Sequence, residues 1–366
     1  MPDLSRRKTL ALLGGGTIFA ATAASAAFLT TRTPHAALAP WDRAGAYPDP
    51  RLRALSWGLL APNPHNRQPW EAELRGEDTI AIWRDPARDL PVTDPFARQL
   101  TIGMGCFLEL TRMAAAEEGL AAQTRLYPEG EEGPVAVMTL SPGGTPDPLF
   151  VHALDRRTHK EGFLDRPVGD EAAVLEPFAT VHGGATHAAL QRIAHDAWLT
   201  EMHTPAALKE SIDLLRIGRA EIEANPDGID LGGPLMESLA LAGVLTREAA
   251  MDPGNAGTRA NIEATAAAIL AVPATVSQVT ATNTRADQIE TGRRWLRLNL
   301  AATGAGLALR PVSQALQEYP EMAEHHAAVH ALLAPEGGTV QMIGLLGYGE
   351  RTARTPRWSL ETRLRT

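Results

Sequence analysis

Three prolines within ten residues decide what the stretch Ala61-Pro62-Asn63-Pro64-His65-Asn66-Arg67-Gln68-Pro69-Trp70 cannot become. Proline locks φ, lacks a backbone donor and pushes its predecessor toward extended backbone. Pro62, Pro64 and Pro69 therefore forbid a regular helix or a central strand and leave a stiff turn. From that turn project Asn63, His65, Asn66 and Gln68, whose donors and acceptors suit the edge of a flat heteroaromatic ring. Two readings stand side by side. In one, the amides satisfy turn backbone and Trp70 plugs a core; in the other, the turn is one wall of a ligand site.

The chain has 366 residues, 44% of them hydrophobic, enough for one large domain or two ordinary ones. Its net charge of −9 opposes non-specific binding to nucleic acid or an anionic membrane, so a bound phosphate would need a local basic cluster. Cys106 is the single cysteine, which excludes an intrachain disulfide and a cysteine-built metal cage; a buried apolar role is expected.

The N-terminus reads differently. Arg6 and Arg7 precede an alanine-rich apolar run from Leu10 to Leu29, broken by Gly14-Gly15-Gly16. That is the layout of a twin-arginine export signal, giving a periplasmic product. Small residues from Ala24 to Ala27 offer a cleavage site. Left uncleaved, the run is nearly long enough to span a bilayer and would anchor the protein facing the periplasm. Residues 1–34 are expected to hold the signal and the start of a linker, residues 35–48 the rest of that linker. Because this route carries folded proteins, a tightly bound cofactor is expected.

From Asp49 onward the pattern is that of a folded unit. Leu52, Leu55 and Leu59 predict a helix over Pro50 to Leu60, which the decapeptide ends. A strand is expected over Thr79 to Arg84, a long apolar helix with Gly103 and Gly105 over Gln99 to Gly119, and strands over Ala121 to Tyr127 and Val135 to Leu140. Gly143-Gly144-Thr145-Pro146 breaks the pattern. A helix is expected from Pro148 to Leu154, and the order of elements then repeats at greater length. Helices are expected over Ala185 to Met202, Pro205 to Ala224 and Pro234 to Ala249, a strand over Ala271 to Thr282, a long helix with Gly304 and Gly306 over Gln288 to Ala308, and a strand over Thr339 to Tyr348. This predicts an α+β protein of two related halves, residues 49–147 and 148–366, the second carrying a helical insertion at about 205–249. Leu231, Met236, Leu239 and Leu245 of that insertion are expected in the core, with a lid as the alternative.

Asp155-Arg156-Arg157-Thr158-His159-Lys160 concentrates cations in an acidic chain, and such groups either form a solvated face or hold a phosphate. Arg351, Arg354 and Arg357 form a further basic cluster near the C-terminus. His326 and His330 stand one helical turn apart but lack the Glu of a zinc-protease helix, and no metal site is expected. Nucleophile elbow, Walker loop and dinucleotide fingerprint are all missing.

Together, Ala61 to Trp70, Arg156 to Phe163, Gly304-Ala305-Gly306-Leu307 and Gly347-Tyr348-Gly349 with Arg357 resemble the nitroreductase family, in particular its long, single-chain, Acg-like branch. The resemblance runs from about Asp49 to the C-terminus. It implies an α-β-α sandwich whose fused halves imitate the family's dimer, so that the chain acts as a monomer, with flavin mononucleotide (FMN) between the halves. It implies phosphate and ribityl contacts from Arg156, Arg157, Thr158 and Lys160, a second phosphate contact from Arg357, ring contacts from Asn63, His65, Asn66 and Gln68, and close backbone approach at Gly304 and Gly306. Three positions depart from the family pattern: Asn63 replaces a serine, Lys160 an arginine and Gly162 a proline.

The activity so implied is transfer of hydride or electrons through flavin N5 to a nitroaromatic or quinone-type acceptor, with no side-chain nucleophile required. An exported protein would not ordinarily meet reduced nicotinamides, so a quinol or a protein donor is expected. The alternative is a flavin-sequestering protein with little turnover.

Overall fold

The computed structural model describes residue 28 and residues 31–365. The run read as an export signal lies, apart from Phe28, outside them. Among the described residues the chain forms α1 (His35–Asp42), α2 (Pro50–Gly58), the decapeptide, β1 (Trp70–Arg75), β2 (Thr79–Arg84), α3 (Arg98–Glu117), β3 (Leu120–Leu126) and β4 (Ala136–Pro142). There follow β5 (Thr180–His182), α4 (Gly184–His203), α5 (Pro205–Asp213), β6 (Leu215–Ile217), α6 (Gly218–Ala224), β7 (Ile229–Leu231), α7 (Pro234–Leu241), α8 (Arg247–Ala250) and α9 (Ala256–Ala271). The chain closes with β8 (Ala274–Thr280), α10 (Arg285–Gly304), β9 (Ala308–Pro311), α11 (Ala323–Leu333) and β10 (Thr339–Gly347).

Two antiparallel sheets share one topology. Their strand orders are β1-β2-β4-β3 and β5-β8-β10-β9, and in each a long helix connects the second strand to the third. The two halves are thus repeats of one α+β unit. Asp94 accepts from the N–H groups of Gln99 and Leu100 at the start of α3, and Thr284 with Asp287 forms a capping box at the start of α10, so both helices begin with their free donors satisfied. α3 is buried almost all round, as its apolar composition requires, and its partner across the join is α10.

The helices cross where neither has a side chain. A Cβ on Gly105 would lie 2.1 Å from the Ile289 carbonyl oxygen, and one on Gly292 would lie 2.0 Å from the Ile102 carbonyl oxygen. The contact is reciprocal, as an approximate twofold axis demands. Gly292 therefore corresponds to Gly105, not the paired Gly304 and Gly306.

Several local expectations need correction. The stretch read as a linker contains α1, whose Trp41 is 2% exposed and packs in the main core. Residues 205–224 are not one helix: Leu215–Ile217 pairs with Ile229–Leu231 and Gly218 takes φ +76°, which breaks the helical run. Residues 234–249 are interrupted by Gly243 at φ +71°. No residue of α7 is buried, so Met236 and Leu239 are not core residues. Pro148–His152 is a 3-10 turn rather than an α-helix. Finally, the C-terminal tail leaves the second half and returns to the first, where Arg365 N donates to Ala72 O at 2.8 Å beside β1.

Candidate functional site

The decapeptide folds as a 3-10 turn over Pro64–Asn66 that delivers Trp70 to β1. Asn63 ties it together, its Oδ1 accepting from Gln68 N at 2.7 Å and its Nδ2 donating to Ala61 O at 3.2 Å. His65, Asn66 and Gln68 have φ of 45°, 53° and 50°. Left-handed backbone at a residue with a side chain costs roughly 1–3 kcal/mol and gathers where surroundings over-determine it. Of the described residues, the only other non-glycines with positive φ are Ala97 and Tyr127, so strain is concentrated in this turn. Gly103 of α3 lets the turn come close: a Cβ there would meet Asn63 Cβ at 3.0 Å and Pro64 Cδ at 3.1 Å.

Against this turn lies a cavity of about 270 Å³ lined from both halves. Asn63, His65, Asn66, Ile102, Gly103 and Cys106 come from the first. Thr158, Lys160, Trp295, Gln314, Gln317 and Arg357 come from the second, and Gly228, Ile229 and Asp230 from the insertion. The segment around Thr158 is placed by His159 N donating to Leu309 O at 2.9 Å and by Leu164 N donating to Tyr348 O at 2.8 Å, which hold it along the second sheet.

Three arginines gather around Leu60 and Trp41, and one of them, Arg357, lines the cavity. Arg156, 2% exposed, donates Nη2 to Leu60 O at 2.7 Å, while its Nε and Nη1 have no partner. Arg357, 4% exposed, donates Nη2 to Ala61 O at 3.2 Å and Nη1 to Asn66 Oδ1, and its Nε has no partner. Arg157 donates Nη1 to Leu154 O and Arg156 O, with its Nε unpartnered. Among the described residues none of the three forms an ion pair. Burial first, and Arg157 second, pull Arg156 down to about 10; burial, then Arg156, pull Arg357 down to about 9. Both remain protonated at neutral pH. Each buried N–H left without an acceptor costs about 1–3 kcal/mol, so the cluster calls for an anion.

Trp41 supports this cluster from below. The guanidinium carbons of Arg157, Arg354 and Arg357 lie 4.7, 5.6 and 5.8 Å from its ring centroid, within cation–π range. Its Nε1 donates to Thr355 O at 2.8 Å, and Arg357 N donates to Ala37 O, so α1 clamps the tail that carries Arg357.

The insertion lines part of the cavity through Gly228, Ile229 and Asp230 and is fastened to the decapeptide. Gln68 Nε2 donates to Pro226 O at 2.7 Å and Gly228 N to Asn66 O at 3.3 Å. Asp227, buried, accepts from Arg67 at 2.6 Å, Arg88 at 2.5 Å and Arg216 at 3.0 Å. Lys160 pairs with Asp230 at 2.6 Å across the cavity edge.

The structure thus brings Asn63, His65, Asn66, Thr158, Lys160 and Arg357 to one cavity, whereas Arg156 and Arg157 are not among its lining residues. Gln68 stands apart: it is fully buried and spends its amide on Pro226 O and Trp358 N. Gly304 is small because His152 packs on it, a Cβ there lying 2.5 Å from its Nε2, and Gly306 at φ +71° terminates α10; neither lines the cavity. Asn63 and Asn66 already serve the protein, whereas the His65 ring makes no hydrogen bond among the described residues and burial holds its pKa below the ordinary value. Asp230, Gln314, Gln317 and Trp41 were not expected, since only the fold brings them here. A wider, open groove of about 580 Å³ near Phe96 and Arg285 offers no comparable unpaired cation: Arg285 bonds Glu131 and Gln288, and Arg98 bonds Gln341 and Leu316 O. His330 accepts from Val340 N at 3.1 Å and serves packing.

No family model matches the chain. It is 24% identical over 330 residues to Rv3131 of Mycobacterium tuberculosis, provisionally named an NAD(P)H nitroreductase, covering 84% of this chain and 88% of that one. A shorter match, 33% over 75 residues, covers 20% of this chain and 22% of the protein acg of the same organism, provisionally named in the same way. Among solved structures, the FMN-dependent nitroreductase NfnB of Mycobacterium smegmatis, in complex with NADPH, is 18% identical, covering 60% of this chain and 97% of that one with a TM-score of 0.35. The similarity to Rv3131 spans too much of the chain to be confined to one of its repeated halves. Over most of its length the chain is thus similar to proteins provisionally named nitroreductases.

Proposed function

We propose that the chain is an FMN-dependent oxidoreductase that passes electrons to a small organic acceptor of nitroaromatic or quinone type. The observation that carries this reading is the set of buried, unpartnered guanidinium N–H groups on Arg156, Arg157 and Arg357 beside a cavity between two related halves. Those donors suit a phosphate, and relatives with nitroreductase names make a flavin phosphate the natural anion. In this reading Arg156, Arg157 and Arg357, with Thr158 and Lys160, hold the phosphate end. His65, held neutral by burial, offers one donor and one acceptor to the ring edge. The insertion excludes water, and the single chain acts as a monomer whose halves together complete the site. When bound, the flavin supplies hydride or electron transfer at its N5 atom.

A second reading, flavin sequestration, draws support from the insertion. Asp227 and its three arginines fasten it beside the cavity, and an insertion that opens slowly would block turnover. The paired arginines near the N-terminus support export by the twin-arginine route and a location in the periplasm or on the membrane face toward it, with a quinol or a protein as electron donor.

One experiment separates these readings. The purified chain is examined for a flavin spectrum, then mixed anaerobically with NADH, NADPH and a quinol. Bleaching by any donor supports the oxidoreductase and identifies that donor. Bound flavin that no donor bleaches supports sequestration. A colourless protein that FMN cannot reconstitute overturns both.

A further inference from the structure

The insertion presents an apolar surface that the fold leaves open. From Pro234 to Leu245 there is one charged residue, Glu237, and its carboxylate is tied to Arg32 at 2.9 Å. Leu235, Leu241 and Val244 are 66%, 79% and 62% exposed. At 3.6 residues per turn, Leu235, Ser238, Leu241 and Ala242 fall within an arc of about 120°, and all are exposed. Val244 follows directly after the turn at Gly243.

The same place receives the chain from its N-terminus. Arg219 of α6 donates Nη1 to Thr31 O at 2.9 Å, and Arg32 pairs with Glu237 of α7. The apolar run from Leu10 to Leu29 immediately precedes these anchored residues. In sequence, then, an uncharged apolar run leads directly into residues anchored beside the exposed apolar face of α7, whose one charged residue, Glu237, is already paired. Three aliphatic side chains fall far short of the roughly 800 Å² per partner that a stable protein interface buries, whereas shallow insertion at the headgroup boundary needs only a few apolar side chains.

We propose that Leu235, Leu241 and Val244 dip into the lipid leaflet beside which the N-terminal run holds the protein. This rests on the reading of that run as an export signal retained as an anchor. Ile229 and Asp230 of β7 line the cavity, and only Gly232 and Gly233 separate β7 from α7. The segment that touches lipid would then be continuous with the lining of the cavity, which gives a bilayer-dissolved donor such as a quinol a direct approach.

The test uses the full chain with Ser238→Cys labelled with a fluorophore, Cys106 being 1% exposed and so protected from labelling. The protein is mixed with phosphatidylcholine vesicles carrying nitroxide-labelled acyl chains. Sedimentation with vesicles reports the anchor; quenching reports the patch. The Ser238→Cys probe should lose most of its fluorescence, while a probe on exposed Glu129→Cys keeps its own. A chain that also carries Leu235→Ser, Leu241→Ser and Val244→Ser should still sediment but recover its fluorescence. Sedimentation with equal, weak quenching at both probes overturns the patch and leaves the anchor standing. Failure to sediment overturns both, and a doubling of mass with no nitroxide-dependent quenching assigns the surface to a second copy instead.

Discussion

Arg156 and Arg357 both donate to the carbonyl oxygen of Leu60, through Nη2 atoms at 2.7 and 3.3 Å. Leu60 and Ala61 follow the end of α2, where carbonyls lack helical partners, so two cations from the far half complete that terminus. The same guanidiniums keep unpartnered N–H groups beside the cavity, and one pair of side chains thereby joins the halves and prepares an anion site.

Arg156→Ala should weaken flavin binding about ten- to hundredfold, the equivalent of about 1.5–3 kcal/mol for lost charge-assisted hydrogen bonds. The double change Arg156→Ala with Arg157→Ala should leave the purified protein colourless. Flavin content is read from visible absorbance, with the thermal midpoint as a control for folding. Unchanged flavin content in the double variant would refute the phosphate assignment.

Gly105→Ala should destabilise the protein by about 2–3 kcal/mol, because the added methyl meets carbonyl oxygen rather than a side chain able to move. Gly292→Ala should match it, since the contact is reciprocal. By contrast Gly306→Ala meets no atom within 4 Å and should show only the smaller cost of its positive φ. Denaturant unfolding of the three variants checks the order; equal losses would mean that the crossing is not tight.

Asp227→Ala leaves Arg67, Arg88 and Arg216 without their shared carboxylate and should cost about 3–5 kcal/mol. The loss should fall mainly on the insertion, so protease nicking between Asp213 and Thr246 should increase, and bound flavin should leave faster. Nicking at the wild-type rate would show that other contacts hold the insertion.

Glu201 gives the protein a pH dependence of defined sign. Its carboxyl is buried, Gln317 donates to it at 3.4 Å, and burial pushes its pKa from 4.5 up to about 7. Below about pH 4.5 the group is protonated whether the chain is folded or not, and its folded-state environment carries no penalty. Between about 4.5 and 7 only the unfolded chain has lost the proton, so stability falls as pH rises, by about 3 kcal/mol in all. Urea midpoints for Glu201→Gln should lack this component of the slope. Parallel wild-type and variant curves across that window would place the titration elsewhere.

Local chemistry makes much of this fold legible in the sequence. β2 is a short run of β-branched and aromatic residues, α3 is long and apolar, and prolines fence the decapeptide, so each announces itself within a short window. α1 does not, because Pro40 sits inside it and proline elsewhere in that stretch reads as linker; only the contact of Trp41 with a tail more than three hundred residues away reveals its use. Gly304 and Gly306 stand out as a pair, yet the glycine at the helix crossing is the solitary Gly292, and nothing local marks a helix that another helix must touch. The cavity was half legible. Its two polar segments stood out by composition, but Asp230 and Gln317 are ordinary residues until the insertion and the second sheet bring them together.

In a dimer of identical subunits every residue change happens twice, at both ends of the assembly. Here the stretch from α5 to α9 exists once, in the second repeat only. Joining the repeats into one polypeptide releases each from copying the other, so one end of the molecule can acquire a helical insertion, a buried carboxylate shared by three arginines and an apolar edge without imposing them on the opposite end.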